Sequence, residues 1–336
     1  MFLDMEGTPI IQWGIIGAGN ISRVAIAPAF REVPYAKIIA VASSSEARAR
    51  SFAADFSVEK FYTDYDRLLQ DPDVDAIYIA LPNNMHMEWT IRALEAGKHT
   101  LCEKPLAMNA EEAMQIQEAA RKTGRLAMEA FMYRFHPRIQ AAYDIIQSGA
   151  IGSPKLLHSS FCFTLARPDN YRNIPASGGG ALYDVGCYCV GVSRYLLGEE
   201  PETVMAQAVY SESGIDESVS GILTFESGAL AHIACSFGSA ESQTVEIIGS
   251  LGTLTMRVPF TSWREDETSI FLKIGNDEDE KIFAQANPYA LMLRHFTDCI
   301  ISGSEPYVSL QESVLQAKTL DALFISMKSR QEESIL

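Results

Sequence analysis

The sequence predicts an α/β protein with an N-terminal, doubly wound parallel sheet and a C-terminal α/β domain built on a large, mainly antiparallel open sheet. Strand-like and helix-like segments alternate up to about residue 130, which is typical of a parallel sheet covered by helices. Beyond that point short strand-like segments dominate. A chain of 336 residues is also too long for one ordinary core. We therefore expect domains over 1–128 and 129–306, and a C-terminal helix over 307–336 that packs back on the N-terminal domain.

The alternation places the elements of the first domain. Predicted strands cover 10–16, 36–42, 75–80, 98–102 and 125–130, and predicted helices cover 20–32, 45–55, 64–70, 84–97 and 109–123. The last helix begins with Asn109 as its N-cap and has Glu112 in the capping-box position. Gly97 and Gly124 lie where two of these helices should end.

The second domain is predicted from shorter segments. A helix at 135–148, an extended stretch at 155–164, a turn-rich loop and a helix at 181–197 precede strands at 202–210, 217–225, 229–237, 243–249, 252–258, 269–274 and 280–284. Two last helices begin at the N-cap Asn287 and at the capping box Ser309–Glu312. In segment 229–237 both strand faces are fairly apolar. We expect helices to cover one face of the sheet, and a second subunit is a candidate for the other.

Composition excludes several classes of function. The net charge of −16 argues against nucleic acid as a partner. The acidic start and the lack of any apolar run near the roughly 18 residues of a membrane span predict neither a secretory signal nor a membrane protein. The six cysteines have no C-x-x-C spacing. We expect reduced thiols in a cytoplasmic protein and no metal site, since Cys187 and Cys189 have no partner at zinc-like spacing.

A glycine-rich turn follows the first strand of the predicted parallel sheet. The run reads Gly17-Ala18-Gly19-Asn20-Ile21-Ser22. Gly17 permits a sharp turn, Gly19 leaves room for a pyrophosphate near a helix N-terminus, and Ser22 is small enough for close packing of helix on strand. Such a run alone is unspecific. Its position between a strand and a helix at the start of a βαβ series predicts a dinucleotide site with contacts from residues 17–21.

The end of the second strand indicates which dinucleotide is bound. A site for NAD normally has a carboxylate there for the ribose 2′-hydroxyl, whereas a site for NADP has small hydroxyls and a cation for the 2′-phosphate. Ser43 and Ser44 occupy this place and Arg48 lies within reach, which favours NADP. Glu46, a carboxylate just past the strand, favours NAD instead. We favour NADP(H) and leave NAD(H) open. The alternative interpretation is that Arg48 is a solvated helix residue.

Two further strand ends supply candidate cofactor contacts, because loops at the carboxyl ends of parallel strands line the ligand crevice. These candidates are Leu81, Pro82, Asn83 and His86 after strand 75–80, and Glu103 and Lys104 after strand 98–102. A lone loop histidine is more often structural. A Glu–Lys pair at a crevice edge needs polar partners, which ligand hydroxyls can supply, but a simple surface charge pair is the competing interpretation.

A second chemical cluster follows the glycines at 178–180. Asp184 and Tyr188 are four residues apart and share a helix face. A carboxylate and a phenol together suggest proton transfer, provided that a cation such as Lys104 lowers the tyrosine pKa from its usual value of about 10. Without that context, Tyr188 reads as a packed amphipathic residue.

Taken together, the motifs GIIGAGNIS, LPNNMH, CEKP, MEAFMYRFHP and GGGALYDVGCY resemble those of the Gfo/Idh/MocA family, in the family's order and across most of the chain. The resemblance is greatest to the branch of trans-1,2-dihydrodiol dehydrogenases and NADP-dependent D-xylose dehydrogenases. It implies an N-terminal Rossmann domain and a C-terminal domain whose open sheet often forms a dimer interface. A homodimer or tetramer is therefore expected.

The resemblance also implies roles for single residues. Lys104 matches the family's catalytic lysine, Tyr188 matches the acid/base tyrosine of this branch, and Asp184 is expected to contact substrate or position the tyrosine. Substrate contacts are further implied for Arg134 and Tyr289. The roles of His136 and Trp263 stay open.

The resulting hypothesis is a reversible, NADP(H)-dependent oxidation of a sugar or a related cyclic or vicinal diol. Tyr188 would act as the acid/base, assisted by Lys104. Two alternatives are an NAD-dependent glycosidase of the same fold and a non-catalytic nucleotide or sugar sensor.

Overall fold

A computed structural model describes residues 2–3, 7, 9–167 and 169–335 of the chain. Met1, most of the acidic start and Pro168 of the turn-rich loop lie outside the described residues. The chain forms two compact units. Unit 1 comprises the described residues up to Met132 together with Asn287–Val314, and unit 2 comprises Tyr133–Ala286 together with the described residues from Leu315 onward.

The strands, in chain order, have the following bounds: β1 Phe2–Leu3, β2 Pro9–Ile16, β3 Ala36–Ala42, β4 Lys60–Tyr62, β5 Ala76–Ile79, β6 His99–Cys102, β7 Ala127–Glu129, β8 Pro154–Thr164, β9 Pro201–Tyr210, β10 Asp216–Phe225, β11 Leu230–Ser236, β12 Gly238–Gly249, β13 Gly252–Arg257, β14 Glu267–Ile274, β15 Asp277–Ala284 and β16 Glu333–Ser334.

The α-helices are α1 Ala27–Ala29, α2 Glu46–Phe56, α3 Tyr65–Leu69, α4 His86–Glu95, α5 Ala110–Thr123, α6 Pro137–Gln147, α7 Cys187–Leu197, α8 Pro288–Ser302 and α9 Leu310–Ser329. Two π-helical turns, Ser22–Ile26 and Leu182–Gly186, lead into α1 and α7. Both lie where the sequence predicts the start of a regular helix.

Unit 1 contains the predicted parallel sheet. Among the described residues its strand order is β4-β3-β2-β5-β6-β7, all parallel, with β1 antiparallel to β2. This is the doubly wound order, in which the order of successive strands across the sheet reverses between β2 and β5, and ligands bind beyond the carboxyl ends of those two strands. The short strand β4 was not predicted, because three residues carry too little periodicity to separate from a loop.

Helix α8 belongs to unit 1, although the sequence boundaries place it in the second domain. The ring of Phe296 lies 6.0 Å from that of Trp13 in β2, and the Tyr35 hydroxyl donates to Asp298 at 2.7 Å. A buried indole and a phenol from the first part of the chain therefore anchor a helix that follows the second sheet.

Unit 2 is built on a sheet with the strand order β15-β14-β13-β12-β8-β11-β10-β9-β16 in the described part of the chain. The pairs are antiparallel except for β8 and β11, as predicted for a mainly antiparallel sheet. Helix α7 contacts β8 and β11 and is buried along most of its length. Leu156 on β8, Met205 on β9 and Ile222 on β10 remain exposed.

The second part of α9 packs within unit 2. Gln316 donates to the Cys187 carbonyl at 2.8 Å, and the Ser326 hydroxyl accepts from the Ala206 amide at 2.9 Å. The structure thus differs from the predicted packing of 307–336 on the N-terminal domain, because these buried amide and hydroxyl groups find their partners on α7 and β9. The α/β fold class itself is confirmed.

The six cysteines all lie in the described part of the chain and are free thiols, five of them buried. Within the described ranges, none of the helices combines the length and apolar character needed to cross a membrane. The described residues also contain no group of three or more His, Cys, Asp or Glu side chains arranged to hold a metal ion.

Candidate active site

The glycine turn after β2 lies at the point where the sheet order reverses. Gly17 has a φ of +105°, and a Cβ there would lie 2.1 Å from the carbonyl oxygen of Ala80, which follows β5. Only glycine fits this backbone and this approach. The Ser22 hydroxyl donates to the Gly17 carbonyl at 2.6 Å, so the serine in the third motif position closes the turn.

Gly19 is different, because the protein itself does not require a glycine there. A Cβ on Gly19 would meet no described atom within 4 Å, and Gly19 and Asn20 are both exposed, whereas Ala18 is buried. In this turn type the second glycine lets a pyrophosphate approach the backbone at a helix N-terminus. The open space at Gly19 therefore fits a bound dinucleotide.

The end of β3 carries hydroxyl groups and an exposed cation. Ser43 is buried, and its hydroxyl accepts from the Ser45 amide at 3.3 Å, while Ser44 is exposed. Arg48 is exposed in the first turn of α2. Glu46 pairs with Arg50 at 2.8 Å, so the Glu46 carboxylate already has a partner on its own helix. This set of groups suits a phosphate better than a ribose hydroxyl.

His86 joins two loops at the carboxyl edge of the sheet. It is fully buried, with Nδ1 2.7 Å from the Pro105 carbonyl and Nε2 2.9 Å from the Leu81 carbonyl. Burial lowers the pKa of His86 despite these two carbonyls, and Lys104 lowers it further. Both ring nitrogens face protein oxygens, so the geometry supports a structural role in place of the predicted cofactor contact. Pro82 and Asn83 lie in the same loop.

The loop that carries Lys104 is held from two sides. Leu106 donates its amide proton to Glu129 at 2.9 Å, and Glu129 is buried at the end of β7. Glu103 accepts a hydrogen bond from Tyr78, and burial together with Glu103 raises the pKa of that phenol. Sequence reasoning assigned no role to Glu129, although a carboxylate that ends an apolar strand was a usable signal.

Tyr188 lies in unit 2, and its ring contacts several aromatic side chains. Ring centroids lie 5.6 Å away for Tyr133, 5.5 Å for Phe161 and 5.4 Å for Phe260. Such tilted and edge-on contacts fix the ring orientation. The side chain is buried, with 8% of its surface exposed.

Asp184 carries an ion pair that the sequence did not reveal. Arg172 Nε lies 2.7 Å from Asp184 Oδ2, and the carboxylate side chain is only 7% exposed. Burial lowers the pKa of Arg172, but Asp184 and the phenols of Tyr171 and Tyr188 raise it further than burial lowers it. The Arg172 guanidinium therefore stays protonated beside the helix face that carries Asp184 and Tyr188. The pairing escaped prediction because eleven residues, including three glycines, separate the partners along the chain.

Asp216 caps the helical segment that carries Asp184 and Tyr188. It is buried at the start of β10 and accepts from the Leu182 amide at 2.6 Å. A Cβ on Gly180, whose φ is +123°, would lie 2.0 Å from Asp216 Oδ1. The glycine before this helix is thus required by the cap. Burial raises the pKa of Asp216 to about 6, although the amides of Leu182, Asp216 and Ala181 lower it.

The remaining predicted residues lie in different surroundings. Arg134 is buried and stacks 3.6 Å above the Tyr195 ring, seven residues beyond Tyr188 in the same helix. Tyr289 belongs to unit 1, buried in the first turn of α8. His136 caps α6, and burial with the nearby Arg138 lowers its pKa to about 4. Trp263 packs under Arg264. Substrate contacts by Arg134 and Tyr289 stay predictions.

Comparison with known proteins identifies the family to which this chain is similar. Residues 11–131 match the Gfo/Idh/MocA oxidoreductase family with an NAD-binding Rossmann fold, and residues 139–255 match the Gfo/Idh/MocA C-terminal domain. The chain is 31% identical to the D-xylose 1-dehydrogenase (NADP(+)) 2 of Haloferax volcanii, over 95% of this chain and 98% of that protein. It is also 31% identical to a trans-1,2-dihydrobenzene-1,2-diol dehydrogenase of Xenopus tropicalis, over 92% and 96%.

A solved structure has the same architecture. A 3-ketoreductase from Actinomadura kijaniata, in complex with NADP and TDP-benzene, superposes with a TM-score of 0.90 at 30% identity, over 94% of this chain and 98% of that chain. Both domain matches and near full-length relatives lead to one assignment. This chain belongs to the Gfo/Idh/MocA family of oxidoreductases.

Proposed function

We propose that this oxidoreductase uses NADP(H) to interconvert a hydroxyl and a carbonyl group on a sugar or a related cyclic or vicinal diol. The observation that carries the proposal is the Tyr188 phenol, held by aromatic rings one helical turn from an arginine-paired carboxylate. A fixed phenol is a suitable acid/base for a hydroxyl proton. The relatives named for D-xylose and for a dihydrodiol, and the 3-ketoreductase solved with NADP, support this substrate class and cofactor.

Residues of unit 1 would hold the cofactor. The turn at 17–21 would receive the pyrophosphate, and Ser43, Ser44 and Arg48 would contact the 2′-phosphate. The loop at 81–83 would contact the ribose and nicotinamide, with Glu103 as a further contact. When bound, the nicotinamide supplies or accepts the hydride.

The chain's own residues would handle the proton. In the oxidation direction, Tyr188 takes the proton of the substrate hydroxyl, and in reduction it returns it. Lys104 donates a hydrogen bond to the same oxygen, and its charge favours ionised Tyr188, whose pKa must fall from the usual value of about 10 to act near neutral pH. Asp184 orients the substrate or the tyrosine. These roles account for a phenol, an ammonium group and a paired carboxylate in a single reaction.

We further propose that the chain forms a homo-oligomer through the open sheet of unit 2. Exposed Met205 and Ile222 are cross-strand partners, and Ile222 pairs in turn with His232. Apolar side chains that are neighbours on a broad sheet face are suited to burial in a subunit interface. Light scattering measures the assembly directly. The cytoplasmic location stays a prediction from the thiol composition.

The proposed activity is tested with NADPH fluorescence over a panel of sugars, polyols and diols, in both directions and with NAD(H) in parallel. With the best substrate, we expect Tyr188→Phe and Lys104→Met each to lower kcat by at least about a hundredfold, in line with general acid–base catalysis. Cofactor binding, measured by fluorescence titration, should survive the Tyr188→Phe change.

Matched control variants keep this test specific. Tyr210 and Lys155 are exposed residues of the same unit as Tyr188, and Tyr210→Phe and Lys155→Met should leave turnover unchanged. Near-normal turnover in both Tyr188→Phe and Lys104→Met would overturn the assignment. Product formation without net change in NADPH would instead indicate a glycosidase.

A further inference from the structure

We propose that Arg172 is a positioning residue for this reaction, because its charge keeps Asp184 from opposing the negative charge that develops on the Tyr188 oxygen. The inference rests on the proposed function, in which Tyr188 is the acid/base. It assigns a role to a residue in the loop before the helix, where sequence motifs indicated only turn formers.

The backbone of Arg172 is fixed from both sides. Its amide donates to Asn170 Oδ1 at 3.1 Å, and its carbonyl accepts from the Gly180 amide at 3.1 Å. A Cβ on Gly179 would lie 2.4 Å from the Arg172 carbonyl oxygen. The glycine run therefore allows the loop to fold back so closely that Arg172 reaches the helix. A flexible surface arginine would not need such a backbone.

The side chain of Arg172 is directed to one carboxylate. Its Nε lies 2.7 Å from Asp184 Oδ2, and the guanidinium carbon lies 4.8 Å from the centre of the Tyr171 ring. The arginine side chain is 28% exposed and the aspartate 7%. An ion pair that is partly removed from water is screened less than a surface pair, so its charges act on their neighbours.

Asp184 needs such a partner because of its position. Side chains four residues apart on a helix are neighbours, and like charges at this spacing repel each other. An unpaired Asp184 carboxylate would therefore disfavour ionised Tyr188, whereas a carboxylate already neutralised by Arg172 would not. Among the described contacts within unit 2, the titratable groups at this cluster include Asp184 on the helix, Arg172 and Tyr171 on the loop, and Tyr133 against the Tyr188 ring. Phe161 and Phe260 also contact the Tyr188 ring and carry no charge.

Opposite charge changes give opposite shifts, and this makes the proposal testable. The measurement is the pH profile of kcat/KM for substrate oxidation by the full-length enzyme at saturating NADP⁺. Removing the cation in Arg172→Met should raise the apparent pKa of the limb that reports Tyr188 ionisation by about one pH unit. At pH values below that pKa, kcat/KM should be about tenfold lower than in the wild type. Removing the carboxylate in Asp184→Asn should move the same limb down. The double variant should return it close to the wild-type position, and Arg172→Lys should largely preserve it.

Controls separate this role from a purely structural one. Arg167 is exposed in the same loop, and Arg167→Met should leave the profile unchanged. Loss of activity in Arg172→Met with an unmoved limb, or limbs of Arg172→Met and Asp184→Asn that move in the same direction, would overturn the inference. If Arg172→Met does not fold, the Asp184→Asn shift alone decides the outcome, and a limb that moves up or stays in place overturns the inference. Wild-type turnover in Tyr188→Phe would instead overturn the proposed function, so the two failures are distinguishable.

Discussion

The buried carboxylate of Asp216 makes a quantitative prediction about stability. Burial raises its pKa to about 6 from an ordinary value of 3.8. This difference of about two units corresponds to about 3 kcal/mol at 1.36 kcal/mol per unit. Because the pKa is higher in the folded than in the unfolded protein, the group's contribution to stability is complete below about pH 4 and is lost as the pH rises through about 6. At neutral pH the ionised cap therefore costs stability.

The perturbation is Asp216→Asn, which keeps the shape and an acceptor oxygen for the Leu182 amide but cannot ionise. We expect the free energy of unfolding of the wild type to fall relative to that of the variant by about 2 kcal/mol between pH 4 and pH 7, since a part of the full difference is already lost at pH 4. Urea unfolding across this range measures the difference, and hydrogen exchange at the Leu182 amide localises it. Asp279→Asn, at an exposed site in β15, serves as the control.

The comparison has a clear negative result. If the pH dependence of unfolding is the same in the wild type and in Asp216→Asn, the buried carboxylate does not titrate between folded and unfolded states as argued. The same conclusion would follow if the control variant produced an equal change, because an exposed carboxylate has no comparable burial.

Two further predictions concern the cofactor site. Gly17→Ala should lower the melting temperature even without cofactor. The φ of Gly17 is +105°, and an added Cβ would lie only 2.1 Å from the Ala80 carbonyl oxygen. Gly19→Ala should leave that temperature unchanged, since no described atom lies within 4 Å of an added Cβ, and should weaken NADPH binding. Equal stability losses in both variants would contradict this contrast. Arg48→Met should lower kcat/KM for NADP⁺ about tenfold or more, the worth of a charge-assisted hydrogen bond, with little change for NAD⁺. Equal losses of kcat/KM with both cofactors would exclude a role for Arg48 in binding the 2′-phosphate.

Much of unit 1 was predictable because its information is local. Alternating strands and helices leave a parallel sheet as the compact solution, and the glycine run marks the turn after β2 without any knowledge of distant residues. The serines after β3 and the Glu–Lys pair after β6 were also identifiable, since the carboxyl ends of parallel strands are all at one edge. His86 was identified as a residue of this edge, but its two carbonyl partners come from different loops and only the folded chain brings them together.

Long-range partners decided the remainder. No pattern in the sequence assigns α8 to unit 1 or the second part of α9 to unit 2, because these assignments rest on single buried contacts such as Trp13 with Phe296 and Gln316 with the Cys187 carbonyl. The same holds for Arg172 at Asp184.

The sequence by itself determined the fold class, the dinucleotide turn and the residue types available for proton transfer, since each depends on local periodicity or short spacing. Only the tertiary structure decided which charges are neighbours. The glycines at 178–180 illustrate the division. In the sequence they mark the end of a turn-rich loop before a helix, but in the folded protein they leave room for the Arg172 carbonyl and the Asp216 carboxylate. Electrostatic effects depend on distance in space and on burial, and neither can be read from positions along a chain.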